Sequence, residues 1–302
     1  MEIGEVLGRM WEIGWDHKVL WLFQMIPGAL AVVLMLVSFI VNPVFVQFLP
    51  DPLKQVLSES VMLIASILLI VLYMFVFLFV SVLMQSATTL GALRAEKGIE
   101  KLDFRGLIKD SLSYFWRILG IMFIFVLAWF FIFGAFMAFN IVVSILTLGL
   151  GSLCLTPLFF LLIPIMMMGY TWVEFSQVAV LSDNMGVMDA LSRGWQIIRG
   201  NILPIIALVL IVYFGIWIIS AVLILPAMIP MWFLPLGLGS SGEFNRTSLM
   251  LLLVLFPVMM FVSMIVQGIL MAFAKSAWAV AYLRLTKPKT ELPTPIALPA
   301  NA

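Results

Sequence analysis

Long stretches of this sequence hold no ionisable side chain. Six runs, roughly 19–41, 61–84, 118–146, 153–172, 202–225 and 249–274, contain no Lys, Arg, Asp, Glu or His. Charged residues make up 10% of the 302, against roughly 25% in an average soluble domain, and this excludes a soluble globular fold. One cysteine, Cys154, excludes an internal disulfide. It has no histidine near it in sequence and opens an apolar run, so it reads as a small apolar filler and not a nucleophile. One histidine, His17, cannot make a metal site, which needs several His, Cys or carboxylate ligands, and no such cluster is visible. No catalytic residue, metal site or cofactor is therefore expected. A sizeable soluble basic surface is also missing, which argues against nucleic acid as a partner.

What is present is apolar: 64% of the residues are hydrophobic and the mean hydropathy is +1.21. A bilayer core about 30 Å thick takes roughly 20 apolar residues to cross as a helix, so each of the six runs reads as a span. The third is long for a straight crossing and is expected to tilt or to leave the bilayer at one end. Pro27, Pro157, Pro164 and Pro257 lie within or near the ends of spans, where kinks are tolerated. The first 18 residues carry Glu2, Glu5, Glu12 and Asp16, unlike the basic start of a cleavable signal peptide.

Net charge is only +1, yet the charge is unevenly placed. The segments before span 1, between spans 2 and 3, between spans 4 and 5, and after span 6 hold 14 of the 16 Lys and Arg. The opposite connections hold only Lys54 and Arg246. By the positive-inside rule both termini are cytoplasmic. The densest cluster, Arg94, Lys97, Lys101, Arg105, Lys109 and Arg117, is interleaved with Glu96, Glu100, Asp103 and Asp110. Its small positive surplus fits a topogenic signal with weak attraction for anionic lipid.

A repeat is visible. Leu7, Arg9, Trp11 and Ile13 match Leu191, Arg193, Trp195 and Ile197 at an offset of 184, and Ser86-Ala87 with Leu93-Arg94 match Ser276-Ala277 with Leu283-Arg284 at an offset of 190. In the middle, Phe104, Leu107, Ile108, Leu112 and Phe115 form an apolar face, and Lys109 stands where the arginine would be. The clearest copy is 187–204. There Met188, Leu191, Trp195 and Ile198 recur at spacings of three and four and share one helical face, Asp189, Ser192, Arg193, Gln196 and Arg199 take the other, and Gly200-Asn201 ends the helix before the next span. The expected fold is thus all-α: a single six-span membrane domain over 1–286, built of three parallel repeats (about 1–94, 95–184 and 185–286). Each repeat is led by an amphipathic helix on the cytoplasmic face. The stretch 287–302, rich in proline without helical period, is expected to be disordered.

Candidate functional residues are few. Arg9, Trp11, Lys109, Arg193, Trp195 and Arg199 form a candidate interfacial collar, for which headgroup anchoring is the simpler role and ligand recognition the sharper one. Glu174 ends span 4, and an acid embedded in the membrane is a functional-site hypothesis by default. The simpler expectation places it at headgroup level, paired with Arg193 or Arg199. Lys275, at the end of span 6, is expected to snorkel. Within the spans, Gln24, Asn140 and Gln267 suit helix–helix hydrogen bonds, and Gly134 with Ala138 suits close helix contact. Met166-Met167-Met168-Gly169-Tyr170 could line a soft apolar cavity. Between spans, 147–152 reads as a tight turn, 42–60 as a loop holding a short surface helix, and 226–247 as interfacial with a mobile Gly/Ser tip.

The stretches MDALSRGWQIIRGNILPII, FRGLIKDSLSYFWRILG and AYLRLTK resemble the multi-pass membrane domain of glycerophosphoryl diester phosphodiesterases and related membrane domains of unknown function. The resemblance covers nearly the whole chain. It implies the inner membrane of a prokaryote but carries over no catalytic residue, because in that family a separate soluble barrel holds the metal and the catalytic histidines. The leading expectation is a non-catalytic membrane protein that organises lipids or a protein partner, or that assembles with its own copies. The runner-up is a transporter or channel-like protein for an apolar or lipid-like substrate. Against ion coupling stands the lack of charge in the spans. An intramembrane enzyme comes third, with Glu174 as its only nominee.

Overall fold

A computed structural model describes residues 3–41, 59–99, 101–233 and 246–286. Among them every regular element is helical. In chain order these are α1 (Ile3–Asp16), α2 (Val19–Val41), α3 (Glu59–Glu96), α4 (Phe104–Leu112), α5 (Phe115–Leu146), α6 (Leu150–Asp183), α7 (Val187–Gly200), α8 (Ile202–Phe233) and α9 (Arg246–Thr286). Four described stretches are long and apolar enough to cross a membrane: Ile67–Glu96, Phe115–Leu146, Ile202–Pro226 and Leu255–Thr286. The pair Ile3–Asp16 and Val19–Leu34, bent by 78°, would supply a fifth. The expected disordered stretch 287–302 and most of the connections 42–60 and 226–247 lie outside the described residues.

The short helices end where local chemistry stops them. Asp103 caps α4, its carboxylate accepting from the Gly106 amide at 2.8 Å. Asn184 closes α6 in the left-handed conformation at φ 54°. The tight turn expected at 147–152 is present: Leu148 and Gly149 take positive φ, and the Thr147 hydroxyl accepts from the Gly151 amide at 2.7 Å.

Three long helices, α3, α6 and α9, pack on one another pairwise and make the centre. Around them α2 packs between α9 and α3, α5 between α6 and α3, and α8 closely on α9 but only loosely on α6. The α2–α9 seam is tight because both helices offer glycine. A Cβ on Gly28 would meet Met264 Cγ at 2.6 Å, and one on Gly268 would meet Met25 Cγ at 2.6 Å and its backbone at 3.2 Å. In the α6–α8 seam stand Tyr170 and Tyr213, ring centroids 5.8 Å apart, and the helices stay further apart there.

Each of α3, α6 and α9 carries a buried serine whose hydroxyl bonds the carbonyl four residues back. These are Ser86 to Val82 at 2.6 Å, Ser176 to Trp172 at 2.7 Å and Ser276 to Ala272 at 2.9 Å. Satisfied in this way, a small side chain lets the three helices approach without leaving a polar atom stranded.

The short helices α1, α4 and α7 rest against the ends of α9, α3 and α6. The buried face of α7 is Ala190, Leu191, Gly194, Ile197 and Ile198. Of the apolar face read from the spacing, Leu191 and Ile198 are buried, while Met188 and Trp195 stay 70% and 52% exposed. Gly194 makes the close approach to α6, since its missing side chain admits Ser176, whose Oγ would lie 2.6 Å from an added Cβ. Gly134 and Ala138 face outward, and no described side chain lies within 4 Å of a Cβ built on Gly134, so the expected close helix contact is not made there.

Candidate functional site

The two charges expected at the membrane edge meet inside the bundle. Helix α6 continues past Trp172 to Asp183 and α9 past Ala274 to Thr286, so Glu174 and Lys275 fall within continuous helices. Both are buried, at 2% and 3% exposure. Lys275 Nζ donates to Glu174 Oε1 and Oε2 at 2.7 and 2.9 Å. It also donates to Gln85 Oε1 of α3 at 3.3 Å. Each central helix thus contributes one polar side chain at the same level: Gln85, Glu174 and Lys275.

This corrects two expectations. Glu174 does not pair with Arg193 or Arg199, and Lys275 does not snorkel. Both stem from ending the spans at the last apolar residue. Burial of a lone charge would be prohibitive, but a paired and hydrogen-bonded one is tolerated, so the helices carry both charges inward. One sequence signal pointed here: the matched Ser86 and Ser276 are each preceded by a long polar residue, Gln85 and Lys275.

One helical turn from the pair, a groove of about 530 Å³ lies between α5, α6, α8 and α9. Phe125, Trp129, Met167, Tyr170, Tyr213 and Met271 line it among others, and its surface is almost wholly apolar. Tyr170 sits one turn before Glu174, and Met271 one turn before Lys275. The Tyr213 hydroxyl is shielded from solvent and finds no hydrogen-bond partner among the described residues. A shielded, unbonded hydroxyl costs about 1–3 kcal/mol. A second groove of about 450 Å³ adjoins across Phe125 and Trp129 and reaches Met168, Gly169, Trp172 and Trp195. The methionine-rich stretch 166–170 therefore lines apolar space, as its composition suggested.

The collar residues are spread over three helices and do not converge. Arg9 bonds Glu12, and its Nε donates to Glu96 Oε2 at 3.1 Å. These acids raise its pKa further above the ordinary arginine value, the Glu12 bond most strongly. Glu96 also faces Arg284 Nη2 at 3.6 Å, and Arg284 Nη1 donates to Glu5 Oε2 at 3.1 Å. Trp11 stacks on Phe273 of α9, centroids 5.4 Å apart, and Trp195 meets Trp172 of α6 edge-on at 5.8 Å. Lys109 and Arg199 are exposed, while Arg193 is half-buried. On α4, Lys109 makes no such contact among the described residues, and its neighbour Asp110 takes Arg94 of α3.

Among the described residues no group of three or more His, Cys, Asp or Glu could hold a metal ion. The polar centre has no nucleophile beside a base. What it can do is hold two opposite charges at depth, close to an apolar groove. Comparison with known protein families, curated proteins and solved structures finds no match.

Proposed function

We propose that this is a non-catalytic six-span protein of a prokaryotic inner membrane, with both termini cytoplasmic, that binds and organises membrane lipid. The groove between α5, α6, α8 and α9 carries this reading: its surface is almost wholly apolar and it lies among helices of membrane-crossing length, where acyl chains are the surrounding solvent. Helices α1, α4 and α7 would lie at the headgroups, with Trp11 and Trp195 as anchors. The three back-bonded serines, the three-way polar centre and the way α1, α4 and α7 each meet the end of a central helix support three parallel repeats. The motifs behind the resemblance to the phosphodiesterase membrane domain fall on α4 and the start of α5, on α7 and the start of α8, and on the end of α9, at the cytoplasmic side in this reading.

A transporter for an apolar or lipid-like substrate is the second reading, favoured by the Glu174–Lys275 pair, since charge inside spans marks many substrate and proton paths. Native mass spectrometry of protein released in mild detergent tests the first: a defined retained lipid supports it, while bare protein or only bulk lipid counts against it. A stoichiometric protein partner would make the organising role one of protein assembly.

A further inference from the structure

The charge cluster between α3 and α5 is not the near-balanced mixture that its sequence suggests. Of its six cations, Arg94 and Arg117 are tied to neighbouring elements. Arg94 pairs with Asp110, and Arg117 Nη1 donates to Asn184 Oδ1 at 2.7 Å. The acids are engaged as well. Glu96 is held by Arg9 and Arg284, Asp110 by Arg94, and Asp103 turns to the Gly106 amide, while Glu100 lies outside the described residues. Lys97, Lys101, Arg105 and Lys109 stay exposed, with no ion pair among the described residues.

On α4 the residues separate by face. Leu107 and Ser111 are buried, whereas Arg105, Lys109 and Leu112 recur at four and three and share the outward face. Leu112 is 50% exposed, and Trp116, at the start of α5, is 77% exposed. Free cations beside an exposed leucine and tryptophan make the composition of a surface that rests on headgroups, its apolar side chains dipping below them. An acidic soluble partner would have no use for those two apolar side chains. The ends of α3 and α5, both of membrane-crossing length, hold this face close to the bilayer surface, within reach of its charge. Neither α1 nor α7 matches it, since Arg9 is bonded to acids and Arg193 is half-buried.

We propose that the stretch from Lys97 to Lys109, with the outward face of α4, binds anionic phospholipid, Arg105 and Lys109 meeting the headgroup phosphates and Leu112 and Trp116 the acyl boundary. The proposal rests on the reading that places α4 at the headgroups, and it specifies the lipid class drawn there.

The test uses the whole protein reconstituted in phosphatidylcholine bilayers. Electron paramagnetic resonance reads the motionally restricted fraction of spin-labelled phosphatidylglycerol against that of spin-labelled phosphatidylcholine. Phosphatidylglycerol is expected to associate about fivefold better, the worth of roughly one engaged charge, and to approach parity in 1 M salt, where screening sets in within about 3 Å. Lys101→Gln, Arg105→Gln and Lys109→Gln together should bring the preference below about twofold with an unchanged melting temperature, because these side chains bond nothing described. Lys101→Arg, Arg105→Lys and Lys109→Arg together should keep it, and so should Lys18→Gln, which removes an exposed cation elsewhere on the same side. Equal association of the two lipids by the unaltered protein at low salt overturns the proposal and leaves the patch to an acidic protein partner. A preference that survives the triple glutamine variant, or that Lys18→Gln abolishes as fully, overturns the assignment to this stretch. The organising role is read separately, from the lipid retained in mass spectrometry, and stands or falls there.

Discussion

Lys275 of α9 and Glu174 of α6 stand 2.7 Å apart in the interior, each almost wholly shielded. Removing one partner strands the other. Glu174→Gln is expected to destabilise the fold by about 3–5 kcal/mol, the usual cost of an uncompensated buried charge, whereas Glu174→Gln combined with Lys275→Met should recover most of it. Equilibrium unfolding in detergent reads both. If the double variant were no more stable than the single, the pair would not be acting as a compensated unit.

Glycines in this bundle separate by what surrounds them. Gly268→Ala places a methyl 3.2 Å from the Met25 backbone, and overpacking of that kind costs about 1–3 kcal/mol. Gly134→Ala meets nothing described within 4 Å and should be neutral or stabilising by up to about 1 kcal/mol through helix propensity. Melting temperatures of the two variants, compared side by side, settle the contrast. A melting point for Gly268→Ala as high as that of the unaltered protein would mean the α2–α9 seam is looser than described.

The acid Glu96 serves two arginines, Arg9 and Arg284. Glu96→Gln should weaken the docking of α1 by about 0.5–1 kcal/mol, a modest amount because both arginines are partly exposed. Hydrogen exchange should accelerate across α1 while α3 and α6 stay protected. Unchanged exchange in α1 would show that the Trp11–Phe273 stack holds it alone.

Leu148, at the α5–α6 turn, is 94% exposed. In a background where Cys154 is replaced by serine, Leu148→Cys should react with a membrane-impermeant maleimide applied outside intact cells, and Lys97→Cys only after permeabilisation. The reverse pattern would invert the proposed orientation.

The membrane class was legible because six runs lack charge, and the short helices because their apolar residues recur at three and four. The pairing of Ser86 with Ser276 pointed to a common structural role, and the structure adds Ser176 to it. The polar centre was not legible, since hydropathy marks a span as finished at its first charged residue and cannot tell whether that charge meets water or a partner on another helix. The residues by which α7 touches α6 were legible only in part, for a related reason. Periodicity favours large residues such as Trp195, while the closest approach is made by Gly194, which carries no hydropathic signal. The groove followed from composition only in part: methionines suggested soft apolar space, but its position depends on the loose α6–α8 seam.

The contact of Arg284 with Glu5 joins residues 279 positions apart, and it has a meaning for biosynthesis. At 5–20 residues per second a ribosome needs roughly tens of seconds to travel that distance. Through that interval α1 lacks α9, the helix on which it chiefly rests, while α2 already has α3 to pack against. Assembly ends with a late closure, when the last helix arrives and locks the first in place.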